Sequence, residues 1–397
     1  MTIRLRRRTA VAALAVMAVL ATPAVSAQAL SAPAPAASTT TTAEQPRPTG
    51  PYAVGVDVLH LTDHSRADPW VPESGDRELM VSVHHPARAG GSGASAPYMS
   101  TKEAEALLAG LGLRGDAPAL LSSLATHARP DAAAARGRFP LVLLSPGFGN
   151  PRATLTSLAE DLASRGYVVA SVDHAYESLG TAFPGGRIPT CAACDAVEAA
   201  PDDAAELEVL KTVSTGRAAD LSFVLDRLTG PRPSWEHSRM IDRRRVAAVG
   251  HSIGGSAAAS TMLADPRVDA GINMDGTFFE RIPASGLGER PFMMLGTAFH
   301  SPGGEDESWD QGWQRLDGWK RWLGVEGSGH SSFTDVPVLE DRMDVTLDPT
   351  VTLTTDRQVT ITRDYVGAFL DQHLRGRHQP LLDGPTQGNP EVVFNNP

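Results

Sequence analysis

Residues 245–260 read RVAAVGHSIGGSAAAS. An apolar run rich in valine and alanine stops at Gly-His-Ser-Ile-Gly-Gly, and small residues follow. Few folds accommodate that order. A serine on a tight turn between a buried strand and a helix sits in strained backbone, where bulky neighbours would clash. Gly250, Gly254 and Gly255 remove the clashes, so that Ser252 projects its hydroxyl from the end of the strand. Gly-x-Ser-x-Gly also arises by chance in loops. The elements around it decide its meaning.

Those elements alternate. FPLVLLS, from Phe139, is a continuous apolar strand. ATLTSLAEDLASRG sets Leu155, Leu158, Ala159 and Leu162 on one helical face and stops at Gly166. YVVASVD (167–173) is a second buried strand, and a helix over about 206–229 ends at Gly230-Pro231. Strands are expected at 245–249, 268–274, 292–298 and 319–327, and an amphipathic helix over about 363–375. Continuous apolar strands between helices imply a mostly parallel sheet covered on both faces. Upstream, 52–61 and 77–86 alternate apolar and polar residues, as an antiparallel pair at a sheet edge does, and a helical stretch lies near 101–127. The outline is an α/β-hydrolase fold in one domain, 51–378, with a C-terminal tail at 379–397. Segment 174–205 has no clear period; it is a candidate lid, with ordinary loop as the alternative.

The N-terminus is of another kind. Arg4, Arg6, Arg7 and Arg8 precede an apolar run from Ala10 to Leu20, and Val25-Ser26-Ala27 offers the small residues that a signal peptidase prefers. The run is too short to span a bilayer, so 1–27 is expected to be a secretory leader cleaved near Ala27. Arg7-Arg8 leaves the twin-arginine route open beside the general one. A Pro/Ala/Thr-rich linker, 28–50, is too poor in apolar residues to fold. The expected location is extracellular, without stable membrane insertion. Removing the leader leaves 31 basic against 46 acidic residues, a formal charge of −15, which argues against nucleic acid or an anionic membrane as partner. Cys191 and Cys194 are the only cysteines. Zinc would need two more ligands close to them and none is evident, so an oxidising compartment favours a disulfide.

With a strand before it and a helix after it, Ser252 reads as a nucleophile. It then needs a base to take its proton and an acid to hold that base in the right tautomer, in the chain order Ser, Asp or Glu, His. Only His300, His330, His373 and His378 follow Ser252. His373 falls on the last helix and His378 in the tail. His330, in the small-residue loop GVEGSGHSSF after the last strand, is the expected base, and His300 the weaker alternative. Asp275 ends a strand among apolar neighbours, where a buried carboxylate must be paired. It is the expected acid, ahead of Asp306 and Asp310; Glu305-Asp306-Glu307 reads as a solvated acidic turn. The oxyanion donors are expected to be the backbone N–H groups of Ile253 and Phe148, the latter in SPGFGNPR (145–152).

PGFGNPR, DLASRGYVVASVDH and RVAAVGHSIGG, in that order, resemble the platelet-activating factor acetylhydrolases of the plasma and intracellular type-II group and their secreted bacterial relatives. The resemblance covers most of 139–335. It implies an acid on Asp275, 23 residues beyond Ser252, and a histidine on His330, 78 residues beyond. Pro146-Gly147 stands where that family usually has His-Gly. SPGF is instead similar to cutinase-like polyester hydrolases, whose acid would fall on Ala298. The expected activity is a serine carboxylic-ester hydrolase acting through an acyl-enzyme on short-acyl lipid or phospholipid esters. The alternatives are a cutinase-like hydrolase, an acyltransferase and, least favoured, a non-catalytic binding protein. The expected partner is a small-molecule ester or lipid, and the chain is expected to be a monomer. No metal or organic cofactor is indicated. Trp309, Trp313, Trp319 and Trp322 read as packing residues ahead of a lipid contact, and His84-His85 and Asp173-His174 as structural pairs.

Overall fold

The computed structural model describes residues 44–397 apart from 91, 92, 111, 114, 115 and 131. The predicted leader and most of the linker, 1–43, lie outside the described residues. No helix among the described residues is long and apolar enough to cross a membrane.

The alternating stretches pair as expected. β1 (Ala53–Ala67) and β2 (Asp76–Ala87) form a long antiparallel hairpin, with the short β3 (Arg129–Pro130) beyond β1. Helices α1 (Thr101–Gly110) and α2 (Ala117–Ser123) fill the predicted helical stretch. The parallel strands are β4 (Phe139–Ser145), β5 (Val168–His174), β6 (Ile241–His251), β7 (Ala270–Met274), β8 (Phe292–Gly296) and β9 (Lys320–Val325). The chain ends with β10 (Val392–Phe394), antiparallel to β9. The sheet runs β10-β9-β8-β7-β6-β4-β5-β2-β1-β3, an α/β-hydrolase fold. The central strands are buried on both sides, which is why they read as unbroken apolar runs.

Helices cover both faces. α3 (Thr156–Ser164) and α9 (Thr355–Arg375) pack Leu158, Leu162, Tyr365 and Phe369 on one face. On the other, α5 (Asp203–Thr229) and α6 (Ile253–Ala264) pack Leu221, Val224, Ala258 and Met262. The remaining helices are α4 (Ala192–Glu198), α7 (Glu307–Arg315) and α8 (Val336–Met343). Trp309 and Trp322 are fully buried and Trp313 nearly so, in line with packing.

Three boundaries differ from the sequence reading. Residues 44–50 of the linker are packed, because Asp161 accepts from the Thr49 N–H (2.9 Å) and Arg363 donates to the Arg47 carbonyl (2.8 Å). The last helix starts at Thr355 rather than near 363, with the Thr354 side chain accepting from the Arg357 N–H; threonines in its first turns blur the apolar period. The tail 379–397 belongs to the domain: β10 closes the sheet edge, and the Pro397 carbonyl takes the Trp313 indole N–H. Segment 174–205 is more structured than its lack of period suggested. It carries α4, whose first turn is closed by the Cys191–Cys194 disulfide.

One feature of the interior has no signature in the sequence. Arg77 on β2 and Arg217 on α5 are fully buried and share Glu177 (2.7 Å each). Arg77 also bonds Asp68 and Asp220, each at 2.8 Å. Arg217 donates to the Pro146 carbonyl at 2.6 Å, and His174 joins Asp220 to the Ser145 hydroxyl. Burial works against the charges of Asp220 and Glu177, but the arginines hold both carboxyls below their ordinary range. The network ties β2, α5 and the loop after β5 to the loop that follows β4. Arg217→Met keeps the volume but strands Glu177 with fewer donors. Loss of one partner from such a buried set costs about 3–5 kcal/mol. Urea denaturation should show a loss of that order and kcat should fall with it; unchanged stability would show that the network is dispensable.

Candidate active site

The turn after β6 is strained as its glycines imply. Ser252 has φ 55° and ψ −128°, an unfavourable conformation for an L-residue, and its N–H is tied to the Met274 carbonyl at 2.8 Å. A Cβ on Gly250 would meet the Gly254 carbonyl oxygen at 2.1 Å, and one on Gly254 would meet the Ser145 carbonyl oxygen at 2.2 Å. The turn therefore lies directly against the end of β4. The Ser252 hydroxyl is not spent on capping α6, and Ile253 opens that helix, where an N–H has no helical acceptor.

Asp275 follows β7 with φ 57° and is 2% exposed. Its carboxylate accepts from the Thr297 N–H (2.6 Å) and from His330 Nδ1 (2.6 Å). His330 begins the turn after β9. Its carbonyl accepts from His251 Nε2 at 2.7 Å, and the two rings stand 4.7 Å apart, so the histidine loop is fastened to the residue that precedes Ser252. Burial drives the His251 pKa down to about 3, so it is neutral and acts as a fixed donor. With Nδ1 of His330 committed to Asp275, Nε2 is the nitrogen left for proton transfer.

Phe148 sits in the loop after β4, which is held from below by Arg217 and from the side by the Gly149 N–H on the Glu177 carbonyl (3.1 Å). Its ring joins an apolar cluster with Ile253, Ala193, Leu210 and Val213, edged by the partly buried Trp70, Val197 and Phe279. The Cys191–Cys194 disulfide closes the first turn of the helix that supplies Ala193. The structure thus brings Ser252, Ile253 and Phe148 onto neighbouring turns at the ends of β6 and β4. Asp275 and His330 stand beside them.

Two residues that the sequence reading ranked as the weaker base and an alternative acid take a different place, behind Asp275. His300 donates from Nδ1 to the other oxygen of Asp275 (2.9 Å), and its Nε2 lies 3.1 Å from Asp306. Asp306 is not a solvated turn residue. It is 9% exposed, accepts also from Thr277 and the Ser308 N–H, and caps α7, while Glu305 and Glu307 remain exposed. Asp310 takes no part and bonds the Gly303 N–H. Trp309 stacks on the His300 ring at 4.3 Å, and the Trp322 indole holds the His300 carbonyl. Burial opposes the charge on His300, but Asp275 and Asp306 raise its pKa to about 9. Burial likewise opposes the charge on Asp275, and the bonds from His300 and His330 overcome it, holding the carboxyl well below the carboxylate range. The charge of His300 is balanced by Asp306, so Asp275 keeps its own for His330. An N-cap signal, an aspartate just before ESWDQGW, was present for Asp306, but nothing local marks its partner.

The known proteins that this chain resembles are esterases. Residues 38–184 match the family described as platelet-activating factor acetylhydrolase, isoform II. A probable 1-alkyl-2-acetylglycerophosphocholine esterase of Arthroderma benhamiae is 28% identical over 379 residues, 88% of this chain and 93% of that protein. A platelet-activating factor acetylhydrolase of Cavia porcellus is 23% identical over 228 residues, 50% of this chain and 49% of that one. The structure of a ferulic acid esterase from Streptomyces cinnamoneus superposes with a TM-score of 0.79 at 44% identity, covering 89% of this chain and 99% of that chain.

The second histidine makes the site testable by pH. His300 stays charged up to about pH 9 in the folded protein, against 6.5 for an ordinary histidine. Its contribution to stability is complete below about pH 6.5 and is lost as pH rises through about 9. His300→Gln should therefore be less stable than wild type at pH 6, and the two denaturation midpoints should converge as pH approaches 9. Asp306→Asn should lower kcat about tenfold, roughly 1.4 kcal/mol, by weakening the hold on Asp275. Parallel stability curves would rule out a charged His300.

Proposed function

The chain belongs to the platelet-activating factor acetylhydrolase family of carboxylic ester hydrolases, and on that basis we propose that it is an exported serine esterase working through an acyl-enzyme. The observation that carries the reading is the hydrogen bond from His330 to the buried Asp275, beside a strained Ser252. His330 Nε2 takes the Ser252 proton as the hydroxyl attacks the ester carbonyl. The Ile253 and Phe148 N–H groups receive the oxyanion, and Asp275 stabilises the imidazolium. His330 then protonates the leaving alcohol and activates the water that frees the acyl group.

The acyl group would lie against Phe148, Phe279 and Trp70. One reading, in keeping with the names of the acetylhydrolase relatives, is a short acyl group on a lipid or phospholipid ester. A second is a hydroxycinnamoyl group, in keeping with the name of the Streptomyces cinnamoneus esterase. The second is favoured by the 44% identity over nearly all of that chain and by the aromatic edge of the cluster. A panel of p-nitrophenyl esters from acetyl to palmitoyl, with an oxidised-phospholipid analogue and methyl ferulate, separates the two. Methyl ferulate should have the highest kcat/KM under the second reading; preference for the phospholipid analogue returns the first. Asp275→Asn should lose about 10⁴-fold in kcat and Ser252→Ala at least as much. An active Ser252→Ala would end the proposal.

Export rests on the leader and linker at 1–50. Mass spectrometry of the culture medium should find a mature chain starting near Gln28, and full-length protein confined to the cytoplasm would contradict it.

A further inference from the structure

A second group of polar side chains lies where the loop after α5 meets the β1–β2 hairpin, on segments that supply none of the proposed catalytic residues. Asp57, His85 and His237 each offer a ligand atom, and these atoms lie within 4.8 Å of one another. His85 is fully buried. Its Nδ1 is 3.2 Å from the Pro86 carbonyl, which can only accept, so Nδ1 carries the proton. In the neutral ring Nε2 is then a bare lone pair. It is buried without a hydrogen bond and faces Asp57 Oδ2 at 3.4 Å. Two acceptors so placed repel unless a cation stands between them.

The surroundings favour a metal over a proton. An imidazolium would close on a carboxylate to about 2.7–2.9 Å, and the observed 3.4 Å is longer. Two ligands at about 2.1 Å on a tetrahedral ion stand roughly 3.4 Å apart. His237 converges as a third ligand and is partly exposed, so it has room to close in. Outer partners are in place as well. The Trp235 indole donates to Asp57 Oδ2 at 2.7 Å, and Glu236 lies 3.1 Å from His237 Nε2, as the groups that orient metal ligands do. Gly55, paired with His85 across the hairpin, leaves the space the ring occupies: a Cβ there would fall 2.5 Å from Nε2.

We propose that Asp57, His85 and His237 bind one divalent transition-metal ion of the zinc class, with water completing the shell. Two imidazoles and one carboxylate suit zinc better than calcium or magnesium, which take oxygen ligands. The ion would fasten the loop after α5 to the hairpin, a structural role apart from ester cleavage.

The test uses tag-free mature protein stripped with a chelator and titrated with zinc chloride by calorimetry, with thermal melts in parallel. Wild type should take up one zinc per chain and melt higher with zinc than without. His237→Gln and Asp57→Asn should each bind at least tenfold more weakly. His237→Gln, on a partly exposed side chain, should keep the metal-free melting temperature, which separates ligand loss from misfolding. Absence of uptake and of any shift at millimolar zinc would overturn the proposal, leaving a proton shared by Asp57 and His85. Undiminished affinity in both variants would overturn it too, placing the zinc elsewhere.

Discussion

A carboxylate removed from water must be surrounded by donors, and the site is organised around that requirement at Asp275. The Thr297 N–H, His300 and His330 supply the donors from two segments, the turn after β8 and the turn after β9. Each is then positioned in turn: His300 by Asp306 and two tryptophans, His330 by His251, and Thr297 by the end of β8. His251 belongs to the serine turn, so Asp275, His330 and Ser252 form one connected unit. The strain at Ser252 persists because the packing of Gly250 and Gly254 leaves the backbone no other course.

A second buried set of charges does for the Phe148 loop what Asp275 does for the His330 loop. Glu177 receives both Arg77 and Arg217, and its carbonyl receives the Gly149 N–H. The loop bearing Phe148 is thereby held to β2 and α5 rather than left to its own turn propensity. The disulfide-closed α4 contributes Ala193 to the same apolar cluster. Segment 174–205 thus supplies part of the wall beside Phe148.

Much of this was readable in the chain because it is encoded locally. The strand-serine-helix turn is written in consecutive residues, and the buried parallel strands are unbroken apolar runs. Asp275 and His330 could be ranked because each follows a strand at a place where the fold needs it. What escaped depends on partners far apart in sequence. Asp306 looks like one member of an exposed acidic run until His300 turns it inward. Arg77 and Arg217 look like surface residues until three carboxylates enclose them. The start of α9 and the closing strand β10 were missed for a related reason. Threonines blur the helical period, and three residues make a strand only when β9 offers an edge.

The central claim is that Ser252 is the activated nucleophile of this arrangement. Its most direct measurement is labelling of the purified protein with a fluorophosphonate, followed by peptide mapping of the adduct. The account predicts one adduct per chain, on the peptide containing Ser252, forming in step with loss of esterase activity. An adduct on another serine, or full activity with Ser252 unlabelled, would contradict it.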